Sequence, residues 1–113
     1  MSWGECRIHD ALYIGLARVT HHFTFPDPDD MNDDLHEYRY EQRGNDYDMR
    51  CWHNGREFSS RGQVSHMPEW LRAILDTAKV AGAMRTIPQP PPEVILWFRT
   101  DDDHNLVEFI EMT

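Results

Sequence analysis

The stretch Pro68 to Met84, PEWLRAILDTAKVAGAM, is the one segment of this 113-residue chain with a clean helical period. Wound at ~3.6 residues per turn, it sets Trp70, Leu71, Ile74, Leu75, Ala78 and Ala81 on one half of a cylinder and Glu69, Arg72, Asp76 and Lys79 on the other. Pro68 suits the first helical position, where its missing N–H would be unpaired anyway. Gly82 and then Pro88 bracket the end. A helix with one apolar face needs a layer to cover it, and the segments on either side alternate like strands.

Ahead of the helix, Leu35 to Arg43 sets Tyr38 and Tyr40 against Glu37, Arg39 and Glu41. Gly44-Asn45 reads as a turn, and Tyr47, Met49 and Cys51 form the apolar face of the next strand. Asn54-Gly55 favours a type I′ turn, so Asp46 to His53 and Arg56 to Ser59 are expected to pair as a tight hairpin. Further back, Ile8, Ala11, Leu12, Gly15 and Leu16 repeat helically, giving a helix over about Glu5 to Leu16. Val19, His21, Phe23 and Phe25 then alternate with Thr20, His22 and Thr24, giving a strand from Arg18 to Phe25. Beyond the main helix, IPQPPP (Ile87 to Pro92) reads as an extended connector. Val94 to Phe98 and Leu106 to Ile110 read as strands joined by the Asp101 to Asn105 loop. The expectation is a single α+β domain over residues 1–113. An antiparallel sheet of about five or six strands, a meander plus a C-terminal hairpin, packs against one main amphipathic helix, with a short N-terminal helix.

Bulk properties limit the functions. No apolar run approaches the ~20 residues needed to cross a bilayer, and Glu5 and Asp10 stand where a signal peptide would be basic and apolar. Cys6 and Cys51 are too isolated to form a disulfide framework or a metal-ligand pair, so a reduced, cytoplasmic setting is expected. The 20 acids against 11 bases give a formal net charge of −9. Such a chain is repelled by nucleic acid and by anionic membrane, and is steered towards basic surfaces. Residues 35–62 are balanced, five acids against five bases; acidity concentrates in Asp27, Asp29, Asp30, Asp33 and Asp34 and in Asp101, Asp102 and Asp103.

Motifs are few. Asp30, Asn32, Asp34, His36, Tyr38 and Glu41 follow the oxygen spacing of a calcium-binding EF-hand loop, but Leu35 stands where glycine is needed and the flanks read as strands, so a solvated acidic loop is expected. Seven histidines, His9, His21, His22, His36, His53, His66 and His104, are many for this length, yet none stands in a metal-ligand spacing. Neighbouring His21 and His22 point to opposite faces of a strand. No metal ligand set, cofactor or catalytic residue is expected: G-x-S-x-G and phosphate-cradling glycine loops are absent. Arg39, Arg43, Arg50, Arg56 and Arg61 on the meander read as a surface salt-bridge lattice with the five acids.

The functional expectation is therefore a small acidic, non-enzymatic binding protein, monomeric or homodimeric. It would neutralise a basic protein partner such as a nuclease or nucleic-acid-handling complex, as toxin-immunity proteins, anti-CRISPR-like phage inhibitors and nucleic-acid mimics do. The two Asp clusters would steer the partner, with Tyr38, Tyr40 and Trp52 as aromatic anchors. The alternative is a metal-binding protein or metal-dependent enzyme built on His and Asp, which requires three or four of those residues to converge in space.

Overall fold

A computed structural model of the chain describes residues 8–23, 35–53, 55–86 and 94–112. Helix α1 (Ile8–Tyr13) leads into strand β1 (Ala17–His22), and the meander β2 (His36–Arg43), β3 (Asp46–His53) and β4 (Arg56–Gln63) follows. A 3-10 turn (Val64–His66) precedes helix α2 (Glu69–Ala81), and the chain ends in β5 (Arg85–Thr86), β6 (Val94–Thr100) and β7 (Leu106–Met112). Six strands form one antiparallel sheet in the order β1-β7-β6-β2-β3-β4. The two-residue β5 pairs with Val94 and Ile95 of β6, in line with β7. This is the α+β arrangement expected, with α2 as the main helix.

α2 starts at Pro68, which acts as the N-cap and not the first helical residue: its carbonyl accepts the Leu71 and Arg72 N–H groups. At the other end Gly82 takes the left-handed conformation (φ 72), which costs glycine no Cβ clash, and its N–H donates to the Ala78 and Lys79 carbonyls. The buried stripe Leu71, Ile74, Leu75 and Ala78 lies over Tyr38 and Tyr40 of β2, Tyr47 and Met49 of β3, and Val94, Leu96 and Phe98 of β6. Period-two alternation explains this set, since every second residue of each strand faces the helix.

The opposite face is also covered, which the sequence did not lead us to expect. Ile8 and Ala11 of α1 are fully buried against Trp52, Trp97, Ile110 and Ala17. α1 ends at Tyr13, short of the expected Leu16, and Gly15 (φ 80) turns the chain into β1; the expected helical residues before Ile8 lie outside the described set. Beside this second cluster the face is charged. Arg99 Nη1 donates to Glu108 Oε1 at 2.9 Å with both side chains buried, His22 Nδ1 lies 3.2 Å from Glu108 Oε2, and the Arg39 guanidinium sits 5.4 Å from the Trp97 ring centre. Further out the arginine lattice is present: Arg39 and Arg43 pair with Glu41, Arg50 with Glu57, and Arg61 with Asp48. Several strands run further than expected, β4 to Gln63, β6 to Thr100 and β7 to Met112. The IPQPPP connector lies outside the described residues.

A candidate metal centre at the end of the sheet

The two-residue turn at Gly44-Asn45 fixes the β2–β3 register, pairing Arg43 with Asp46 and running out to Glu37 with Trp52. One step further along the same register, His36 stands opposite His53, both on the α2 side. Directly opposite residues of an antiparallel pair have Cβ atoms about 4.5–5.5 Å apart, and here the two imidazoles stack at 3.8 Å between centres and 10° between planes. The pairing of β2 with β6 sets His36 opposite Thr100, so the chain leaving β6 passes directly over it. Asp102, in the β6–β7 loop, places Oδ1 3.0 Å from His36 Nε2 and 3.8 Å from His53 Nε2.

The loop is held by its first acid. Asp101 Oδ1 accepts the backbone N–H groups of Asp103 and Asn105, and Oδ2 accepts the Asn105 side-chain amide. Burial pushes the Asp101 carboxyl up, but these hydrogen bonds outweigh it and hold the group below the ordinary carboxylate range. His104 follows in the left-handed region (φ 63), and its ring stacks on Trp70 of α2 at 4.1 Å. Asp102 is thus presented by a fixed hairpin end, with its side chain 77% exposed.

A layer of supporting groups lies behind the histidines. Cys51 Sγ is 4.0 Å from His36 Nδ1, the nitrogen turned away from Asp102. Burial, followed by the interaction with Cys51, pushes the Tyr38 phenol far above its ordinary range, and burial pushes the Cys51 thiol up as well. A group on Nδ1 orients an imidazole and directs Nε2 outward, the arrangement that metal-ligating histidines use. His36, His53 and Asp102 offer ligand atoms that all lie within 4.8 Å of one another. A tetrahedral site with bonds near 2.0 Å needs ligands about 3.3 Å apart, and because an imidazole lone pair lies in its ring plane, the two stacked rings must turn out of parallel for both Nε2 atoms to reach one ion.

The residues expected to bind a partner are placed differently. Tyr38 (4% exposed), Tyr40 (0%) and Trp52 (4%) are core residues, so the expectation of exposed anchors is corrected. β2 is a central strand whose tyrosines face α2, and Trp52 lies against Trp97 beneath α1. Asp101 is occupied in holding its loop, Asp102 joins the histidines, and Asp103 is exposed. Asp27, Asp29, Asp30, Asp33 and Asp34 lie outside the described residues, as do Asp30, Asn32 and Asp34 of the calcium-like spacing. Its other members do not converge, because His36 and Tyr38 face α2 while Glu41 faces the opposite side with Arg39 and Arg43. No family model, curated protein or solved structure matches this chain, and no described helix is long and apolar enough to cross a membrane.

Proposed function

We propose that this protein binds a divalent transition-metal ion through His36, His53 and Asp102. The observation that carries the reading is the convergence of two strand-paired imidazoles and one carboxylate from three separate parts of the chain, with both Nε2 atoms facing the same carboxylate oxygen. Two nitrogens and one oxygen suit zinc, nickel, copper or ferrous iron over calcium or magnesium, which prefer all-oxygen shells. Three protein ligands leave coordination positions for water or for a group brought by another molecule, as in sites that exchange or act on ligands.

Calorimetric titration of the metal-free protein with Zn²⁺, and absorption spectroscopy with Co²⁺, test this. One ion per chain should bind, His36→Ala and His53→Ala should each abolish it, and Asp102→Asn should weaken it. The cobalt spectrum should show visible d–d bands without a thiolate charge-transfer band, because Cys51 stands at the wrong nitrogen of His36 to share the ion. Stoichiometric binding that survives the His36→Ala/His53→Ala double variant would overturn the reading.

A second reading, an acidic domain that neutralises a basic protein, keeps the support of the net charge of −9 and of the exposed Asp103. Salt-sensitive capture of a basic nuclease would favour it. A partner affinity unchanged after replacing Asp29, Asp30, Asp33 and Asp34 with Asn would remove it.

A further inference from the structure

β4 ends the sheet. It pairs with β3 along its whole length, Asp46 with Gln63 through His53 with Arg56, and no strand lies beyond it among the described residues. Its residues are exposed at every position except Gly62. Eight residues of straight edge, with no proline and no bulge, present a row of backbone donors and acceptors of the kind that protein chains usually blunt. The side chains along the middle, Ser59 and Ser60, are small.

The strand is also self-complementary in one register. When two copies pair antiparallel about a two-fold axis normal to the sheet, opposite residues must face the same side, so the axis passes through a residue. Centred on Phe58, the strand sets Glu57 opposite Ser59 and Arg56 opposite Ser60 of the second copy. Centred on Ser60, it sets Glu57 opposite Gln63 and Arg61 opposite Ser59. Centred on Ser59, it sets Glu57 opposite Arg61 twice, once on each side of the axis. Both residues lie on the face away from α2, as their partners Trp52 and Asp48 on β3 show. The acid and base would then extend the alternation already begun by the Arg61–Asp48 pair at 2.8 Å.

We propose that β4 is a homodimerisation edge that joins a second copy of this chain antiparallel about Ser59, through backbone pairing and two Glu57–Arg61 ion pairs. The two six-stranded sheets become one continuous sheet. The charge of −9 on each copy opposes association at low ionic strength, so the dimer is sought at about 0.15 M salt, where the Debye length is about 8 Å and adjacent pairs survive better than long-range repulsion.

Sedimentation equilibrium on the full chain at up to about 100 µM tests this in a range where weak interfaces populate. Wild type should approach twice its 13.4 kDa mass. Glu57→Arg sets Arg against Arg and Arg61→Glu sets Glu against Glu, and each should weaken the dimer about tenfold or more. Both positions are exposed, and unchanged circular dichroism would confirm that the monomer is intact. An equimolar mixture of the two variants should associate as a heterodimer, and the Glu57→Arg/Arg61→Glu double variant should dimerise again. A wild-type mass of 13.4 kDa throughout, a dimer indifferent to both single swaps, or a mixture that stays monomeric would each overturn the proposal.

Discussion

Adding one methyl group at Gly62 should cost this protein far more than the same change elsewhere on an exposed edge strand. Gly62 stands directly opposite Tyr47 across the β3–β4 ladder, and the tyrosine ring lies over it. A Cβ at that position would come within 2.8 Å of the Tyr47 hydroxyl oxygen and 2.9 Å of ring atoms Cε1 and Cζ. Carbon atoms pack best at about 3.5–4.0 Å, so the ring must withdraw by at least roughly 0.6 Å. It has little room, because Tyr47 is 6% exposed, stacks on Tyr40 at 5.6 Å and belongs to the core beneath α2. Overpacking of this kind costs about 1–3 kcal/mol, and a domain of this size loses about 4 °C of Tm per kcal/mol, so Gly62→Ala should melt about 4–12 °C below wild type. Scanning calorimetry at low micromolar protein, below the dimer range, measures it. A cycle with Tyr47→Leu isolates the cause. With the ring gone, Gly62→Ala should be close to neutral, since its φ is not in the left-handed region and alanine restricts the unfolded chain. A Tm within about 1 °C of wild type, or an equal loss in both backgrounds, would refute the reasoning.

Leu71→Asp should leave no cooperative unfolding transition at room temperature: Leu71 is fully buried at the centre of the helix–sheet contact, and an unpaired carboxylate there adds a desolvation penalty to the lost apolar burial. A melting temperature close to wild type would show that α2 does not carry the core. Alkaline stability should fall through a defined window. Burial, then Tyr47, pushes the Tyr40 phenol up to about 12, and Tyr38 is raised further, so both stay protonated in the folded chain while the unfolded chain ionises from about 10. Their contribution is complete below about pH 10 and is lost as pH rises through 12. Urea midpoints unchanged between pH 9 and 11.5 would contradict this sign.

The parts of the fold that could be read in the sequence are those set by local pattern. Pro68 to Met84 gave its own helix, and Gly44-Asn45 and Asn54-Gly55 marked the meander, because a period and a turn are properties of adjacent residues. Trp52 reads as a surface anchor because it alternates onto one strand face with the charged Asp48 and Arg50. α1, about forty residues away in the chain, closes over only the end of that face. The histidine pair was within reach: His36 and His53 are symmetric about Gly44-Asn45, so extending the hairpin register one step beyond Glu37 and Trp52 makes them neighbours. Asp102 was not, since it arrives only through the pairing of β2 with β6, a contact between segments some sixty residues apart that no local pattern announces.

The position of β1 has a consequence in time. Among the described residues its only strand partner is β7, and the contacts that tie them, Arg18 to Glu111 and His22 to Glu108, span 93 and 86 residues. The meander can zip from its turns as it is made, whereas β1 must wait for nearly ninety further residues. At roughly 5–20 residues per second that is a delay on the order of 5–20 s. Through this interval Leu16, Val19 and Phe23, apolar side chains still 41%, 42% and 47% exposed in the finished fold, lie on or beside a strand with nothing to pair against. The early chain is therefore open to holding factors or to misassociation during synthesis until β7 arrives and gives β1 its ladder partner.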